Sequence, residues 1–277
     1  MTFGSLLLEG KERLRLAGIE EWELDAWYLL EYVTGMKRSR YYLCQDCPAK
    51  ERQIESYREL LEKRSSHIPL QYLTGTQEFM GYSFYVNEQV LIPRQDTEIL
   101  VEEAVKSLSS GMEILDLCTG SGCILLAVLK LAPGIRGVGA DLSPGALAVA
   151  EKNRNQLNME AEFLQSNLFE RVEGRYDCIL SNPPYIPSAV VDTLMEEVRE
   201  HEPRMALDGR EDGLFYYREI IRQSPAYLKP QGMLFFEIGY DQAEAVREML
   251  LQDFMGIQIK KDLAGLDRVI YGRLKER

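Results

Sequence analysis

Histidine is nearly missing from this 277-residue chain: His67 and His201 are the two, and they stand alone. A histidine-built metal or acid–base centre is therefore not expected. Cysteine is present five times, at Cys44, Cys47, Cys118, Cys123 and Cys178, without the spacing of a disulfide framework. Cys44-Gln-Asp-Cys47 is one C-x-x-C pair with no second pair and no nearby histidine, whereas zinc takes four ligands. No metal site is predicted, and reduced thiols are expected. Positive charge is in deficit: the formal net charge is −12, which argues against a phosphate-gripping nucleic-acid binder. No apolar run approaches the roughly 20 residues of a membrane helix. The opening MTFGSLLLEGKERLRLAG has three leucines and then charges, unlike a secretory leader, so a cytoplasmic location is expected. What remains is 45% hydrophobic and 27% charged, an ordinary globular balance.

Two patterns divide the chain. Up to about Arg64, apolar residues recur at helical spacing: Leu6, Leu7, Leu14, Leu16, then Trp22, Ala26, Leu29, Leu30, Val33, then Ile54, Tyr57, Leu60, Leu61. Gly18, Gly35 and Pro48 punctuate them. Residues 1–75 read as a helical bundle, with Trp22 and Trp27 as core. Residues 76–93 alternate aromatic and polar side chains, with Gly81 and Asn87 as turn candidates, and predict a β-hairpin linker. From 94 to 277 short apolar runs at Glu113–Leu117, Gly137–Ala140, Glu162–Leu164, Cys178–Leu180 and Met233–Ile238 alternate with helical patterns such as Cys123–Leu131 and Pro144–Leu157. That alternation predicts an α/β fold, a parallel sheet covered on both faces. Gly256–Lys260 and Arg268–Tyr271 read as closing strands joined through a turn at Gly265.

Candidate chemistry collects where strands end. The run Asp116-Leu-Cys-Thr-Gly-Ser-Gly122 leads a strand through a glycine turn into a helix. Gly120 and Gly122 let the backbone approach a ligand, and the helix offers free N–H groups. The spacing is neither the dinucleotide G-x-G-x-x-G nor a Walker loop. Asp116 ends the first strand and Asp141, 25 residues on, ends the second, where an acid accepts from ribose hydroxyls. Helix capping is the simpler role for both acids. Two carboxylates repel phosphate and attract a sulfonium, so S-adenosyl-L-methionine is preferred over NAD or ATP.

The fourth strand runs into Asn182-Pro-Pro-Tyr185, across the crevice from Gly120. Asn182 offers a side-chain carbonyl and Pro183 a backbone carbonyl with no N–H to compete. Two acceptors side by side suit the two N–H bonds of a planar amide or aromatic amine, and Tyr185 is placed to stack on that plane. Arg94, Asp96, Thr97 and Glu98 follow Pro93 and read at least as well as a helix cap as they do as cofactor contacts.

The Asn182–Tyr185 motif resembles that of methyltransferases acting on planar exocyclic or amide nitrogens: adenine N6, guanine N2 or glutamine N5. Pro69-Leu-Gln-Tyr-Leu-Thr-Gly75, Phe79-Met-Gly81, Phe84, Val86 and Val90–Glu98 resemble the linker of the release factor glutamine methyltransferases. Glu202-Pro203, Asp212-Gly-Leu214 and Glu237-Ile-Gly239 extend the likeness over nearly the whole chain. The resemblance implies a Rossmann-like class I S-adenosylmethionine-dependent sheet, with S-adenosylhomocysteine as product. It implies N5 methylation of the glutamine in the Gly-Gly-Gln loop of bacterial peptide chain release factors, by a monomer whose helical domain helps dock the factor. Carried over, the donor site comprises Asp116, Cys118, Thr119, Gly120, Ser121, Gly122, Asp141, Asn167 and Leu168, with Asn182 beside the methyl group. The glutamine lies on Asn182, Pro183, Pro184 and Tyr185. The family usually has glycine at the position of Cys118 and aspartate at that of Asn167. Weaker cofactor binding than in aspartate-bearing relatives is expected, with Asn167→Asp restoring it. A ribosomal-protein glutamine, a nucleic-acid amine, or a non-enzymatic adaptor that senses an adenosyl ligand are the other readings.

Overall fold

The 3.6-residue apolar period at the start of the chain becomes α1 (Phe3–Leu16), α2 (Trp22–Thr34), α3 (Arg38–Cys44), α4 (Glu51–Ser65) and α5 (Leu70–Thr74) in the computed structural model, which describes residues 1–276. Thr2 opens α1 with a capping box, its hydroxyl accepting from Ser5 N at 3.2 Å. Gly35 ends α2 in the left-handed conformation at φ +67°, which glycine adopts without a Cβ penalty. Leu6, Leu14, Leu29, Leu30, Tyr57 and Leu61 form the core of this unit. Leu16, in the same apolar series, is 73% exposed. Two residues along a helix is about 200° of rotation, so Leu16 cannot share a face with buried Leu14.

The linker and the α/β unit follow: β1 (Thr76–Phe79), β2 (Tyr82–Tyr85), a short 3₁₀ turn at Gln95–Thr97, α6 (Glu98–Val105), β3 (Glu113–Leu117), α7 (Cys123–Leu131), β4 (Arg136–Asp141), α8 (Pro144–Leu157), β5 (Glu162–Gln165), β6 (Tyr176–Ser181), α9 (Ser188–Val191), α10 (Glu196–His201), α11 (Arg204–Leu207), α12 (Phe215–Tyr227), β7 (Leu228–Glu237), α13 (Ala243–Leu250), β8 (Phe254–Lys261) and β9 (Asp267–Leu274). The hairpin β1–β2 is shorter than the aromatic alternation suggests. It turns at Met80 and Gly81, both with positive φ, the geometry of a primed turn. Asn87 makes no hairpin turn; its side-chain oxygen accepts from Gln89 N at 3.1 Å, and the chain to residue 92 is irregular.

The chain divides into two units: Met1–Gly75 with Met195–His201, and Thr76–Leu194 with the chain from Glu202 onward. Helix α10 belongs to the helical unit, where Glu197 accepts from Arg64 at 2.7 Å.

In the α/β unit the seven-stranded sheet has the order β5-β4-β3-β6-β7-β9-β8. The five strands from β5 to β7 are parallel, and β9 runs antiparallel to both its neighbours. Alternate residues face opposite layers. Leu115, Leu117, Ile179, Leu234 and Phe236 pack on α12 and α13, while Ile114, Cys178, Leu180 and Phe235 pack on α6 and α7. Strand order reverses at β3, whose successor in the chain lies on one side and β6 on the other. A sheet of this kind opens its ligand crevice beyond the carboxyl ends of the strands at that point. Leu117 and Ser181, the last residues of β3 and β6, are register partners, and Ser181 Oγ donates to Leu117 O at 2.8 Å. The glycine turn and the amide turn therefore depart from adjacent strand ends.

Candidate active site

The turn after β3 is held open by left-handed residues: Cys118 at φ +60°, Gly120 at +55° and Gly122 at +77°. The two glycines serve different needs. A Cβ built at Gly120 meets no described atom within 4 Å, so the turn presents bare backbone to the space beside it. At Gly122 a Cβ would press on Phe163 at 3.1 Å and Ala150 at 3.2 Å, so that glycine lets α7 close on its neighbours. Asn153 in α8 clamps the turn from behind: its Nδ2 donates to Ser121 O at 2.9 Å and Tyr85 O at 3.0 Å, and its Oδ1 accepts from Tyr85 N at 2.6 Å. Sequence reading missed Asn153, because its partners lie 32 and 68 residues away.

Asp141 accepts from Gly120 N and Ser143 N, each at 2.9 Å. Burial raises its pKa against the pull of these N–H groups. It lines the cavity and does not cap α8; Ser143 does, through Ala146 N at 3.1 Å. Asp116 behaves differently. It is fully buried behind the turn and off the cavity wall, with Oδ2 accepting from Thr119 Oγ1 at 2.6 Å and Oδ1 without a partner among the described residues. Burial pushes its carboxyl up to about 7.

That shift has a sign. A carboxyl with a raised native pKa binds more protons folded than unfolded between about 4 and 7. Its stabilising contribution is complete below the unfolded value and is lost as pH rises through about 7. Thermal melts of Asp116→Asn should show a flatter decline between pH 5 and pH 8 than the wild type, and parallel curves would disprove the assignment.

Across the crevice, Asn182 and Pro184 line the same cavity as Cys118, Thr119, Gly120, Ser121 and Asp141. Asn182 Nδ2 donates to Thr97 Oγ1 at 3.4 Å. Pro183 is buried in the turn and does not reach the wall. Tyr185, expected to stack over the ligand, is drawn behind the turn instead. Its hydroxyl donates to Glu237 Oε1 at 3.3 Å, and its ring packs against the core under α12 and α13. Glu237, at the carboxyl end of β7, captures the hydroxyl before the ring can lie across the cavity.

Asn167 and Leu168, after β5, complete the wall. Leu168 is left-handed at φ +48°, and Asn167 Nδ2 donates to Glu170 Oε1 at 2.7 Å. The segment before α6 also lines the cavity. Among the described residues no side chain caps α6, correcting that reading of residues 94–98. Arg94 pairs with buried Glu202, Thr97 faces Asn182, and Glu98 accepts from Met80 N at 2.5 Å. Gln89, Leu91, Met205 and Tyr216 enclose the remainder. The cavity spans about 970 Å³, part of it open to solvent. Burial raises both thiols near the turn, Cys118 strongly and Cys123 to about 12, so neither is a nucleophile at neutral pH. No group of three or more His, Cys, Asp or Glu among the described residues could hold a metal ion, and no described helix is long and apolar enough to cross a membrane.

Residues 5–75 match the family model of the PrmC N-terminal domain, and residues 94–205 match that of the methyltransferase small domain. The release factor glutamine methyltransferase of Geobacter sulfurreducens is 42% identical over 259 residues, covering 93% of this chain and 91% of that one. The protein of the same name from Caulobacter vibrioides is 40% identical over 269 residues, covering 95% and 93%. Among solved structures, the T. thermophilus 16S rRNA N2 G1207 methyltransferase, in complex with AdoMet and guanosine, aligns with a TM-score of 0.53 at 18% identity over 72% of this chain and 50% of its own.

Proposed function

From the premise that this chain belongs to the release factor glutamine methyltransferase family, we propose that it transfers a methyl group from S-adenosyl-L-methionine to N5 of the glutamine in the Gly-Gly-Gln loop of a peptide chain release factor, in the cytoplasm. One observation carries the site assignment: the donor-type turn at Cys118–Gly122 and the acceptor at Asn182 leave adjacent strand ends, tied by Ser181 Oγ to Leu117 O at 2.8 Å, and share one cavity.

The cavity suits an adenosyl sulfonium. Gly120 leaves bare backbone at its floor, Asp141 places a carboxylate on the wall, and Arg94, the cation lining it, is neutralised by Glu202. Gly120, Asp141, Asn167 and Leu168 would hold the donor. When bound, it supplies an electrophilic methyl: the N–C bond forms as the C–S bond breaks onto sulfur, leaving S-adenosylhomocysteine. The chain's own residues do the aligning. With Nδ2 turned to Thr97, Asn182 has Oδ1 left to accept an amide N–H of the glutamine. Fixing that N–H orients a poor nucleophile and removes the entropy of alignment, an effect worth up to about 7–11 kcal/mol. The amide proton leaves to solvent. Tyr185 supports the turn from behind.

We assign docking of the factor to the helical unit, where Leu24, Tyr28 and Tyr32 present an exposed stripe at four-residue spacing on α2. Incubating the protein with a release factor and labelled S-adenosylmethionine tests the reading. Label must appear on the loop glutamine; label on a ribosomal protein or on RNA instead would replace it.

Glu170 changes the expectation for Asn167. Since Nδ2 is bound to Glu170 at 2.7 Å, Asn167→Asp would set two carboxylates side by side. Titration calorimetry with S-adenosylhomocysteine should show no gain for Asn167→Asp, and a severalfold gain only when Glu170→Gln accompanies it. Tighter binding by the single variant would refute the coupling.

A further inference from the structure

Asp212-Gly-Leu214 and Glu237-Ile-Gly239, both marked in the sequence, take no part in the transfer chemistry above. The fold brings them to the back of the amide turn, around one buried side chain. Gln242 opens α13 and is 8% exposed, yet its amide does not cap that helix. It points inward instead. Nε2 donates to Tyr185 O at 2.9 Å and, more weakly, to Gly213 O at 3.4 Å, while Oε1 accepts from Gly239 N at 2.9 Å. Tyr217 Oη, which donates to Glu237 O at 2.9 Å, lies 3.4 Å from the same Oε1. Main-chain carbonyls only accept and a main-chain N–H only donates, so these partners fix which end of the Gln242 amide faces the turn.

We propose that Gln242 is a positioning residue for methyl transfer, holding the amide turn by the Tyr185 carbonyl so that Asn182 stands at one fixed place on the cavity wall. This rests on the reading of the site as a glutamine methyltransferase. The turn is pinned at both ends. On one side Ser181 Oγ donates to Leu117 O at 2.8 Å, and on the other the Tyr185 carbonyl accepts from Gln242. Between them Pro183 and Pro184 have no N–H with which to fasten the main chain, and their rings fix φ. So stiff a link passes a displacement of Tyr185 on to Asn182, three residues earlier.

The neighbouring loop closes the grip. A Cβ at Gly213 would fall 2.3 Å from Tyr185 O and 2.8 Å from Gln242 Nε2, and one at Gly209 would fall 2.8 Å from Tyr185 Cα. Bare main chain is what lets this loop back the carbonyl so closely. Ile186, the next residue, is paired to the same segment: its N–H donates to Leu207 O at 3.0 Å, and its carbonyl accepts from Gly209 N at 2.8 Å. Without Nε2 the Tyr185 carbonyl loses its side-chain donor and the turn is free to shift toward another. A displacement of about 1 Å at the reacting group costs on the order of 100-fold in rate. Gly120, Asp141 and Leu168 leave other strands, so the donor contacts stay as they are.

Methylation rates of the full chain with a release factor, divided by the S-adenosylhomocysteine sites counted by calorimetry on the same preparation, decide the matter. Gln242→Met keeps the length of the side chain and lacks the donor. It should lose about 10- to 100-fold in kcat per site, with KM for S-adenosylmethionine and affinity for S-adenosylhomocysteine as in the wild type. A Gln242 that only stabilises the fold would lower the melting temperature or the number of sites and leave kcat per site untouched, which overturns the proposal. Cofactor affinity lost in step with rate overturns it too. Should Gln242→Met fail to fold, Gln242→Asn, whose amide stops a methylene short of Tyr185 O, takes its place, and a full kcat per site there overturns the proposal as well. A wild type that binds S-adenosylhomocysteine but transfers no label to the factor would strike the methyltransferase reading instead.

Discussion

Asn182→Ala will bind S-adenosylhomocysteine about as well as the wild type and will methylate a release factor at least about 100- to 1,000-fold more slowly, the loss seen when one preorganised hydrogen-bonding group is taken from an active site. The reason is positional. Ser181, one residue earlier, is fixed to Leu117 O at 2.8 Å, and Pro183 and Pro184 stiffen the chain after it. The Asn182 amide is thus delivered to one place, and its truncation leaves backbone and cofactor turn intact. Contacts that would hold the donor come chiefly from Gly120, Asp141 and Leu168, on other strands. Calorimetry and initial rates on the same preparation separate the outcomes. Unchanged kcat would remove Asn182 from the chemistry, and cofactor affinity lost together with rate would make it a donor-site residue.

Local pattern made much of this molecule readable before any coordinates. Periods of two and 3.6 located the strands and the long helices. The glycine turn and the amide turn sit at strand ends because apolar runs stop there, and strand–helix alternation places two such ends side by side. The features that escaped depend on partners far along the chain. Tyr185 reads as a free aromatic platform until Glu237, 52 residues later, takes its hydroxyl. Residues 94–98 follow a proline as a helix start does, yet Arg94 is claimed by Glu202, 108 residues away. Asp116 ends a strand as a ligand acid would, but the turn folds back over it, so it supports the turn from within. Leu16 shows what spacing leaves open: apolar spacing assigns a residue to a helix, but only the angle from Leu14 assigns it to a face.

Arg64→Ala should destabilise the helical unit by about 3–5 kcal/mol, the cost of stranding a buried charge. Arg64 Nε donates to Asp25 Oδ2 at 2.7 Å, with side chains 5% and 8% exposed, and its other nitrogens bind Ile68 O at 3.1 Å and Glu197 at 2.7 Å. Burial already pushes the Asp25 carboxyl upward against the pull of Arg64. Without the guanidinium nothing opposes that push. Both tryptophans, Trp22 and Trp27, belong to this unit, so their fluorescence during urea unfolding reports on it alone. Replacing both members, Arg64→Met with Asp25→Leu, should recover most of the loss, since apolar pairs of similar volume often match a buried ion pair. The cost of Arg64→Ala should also shrink at pH 4, where an unpaired, buried Asp25 takes up a proton and ceases to be a charge. A penalty equal at pH 4 and pH 7 would assign the loss to the packing of the arginine stem, and one below about 1 kcal/mol would place the pair among surface-type salt bridges.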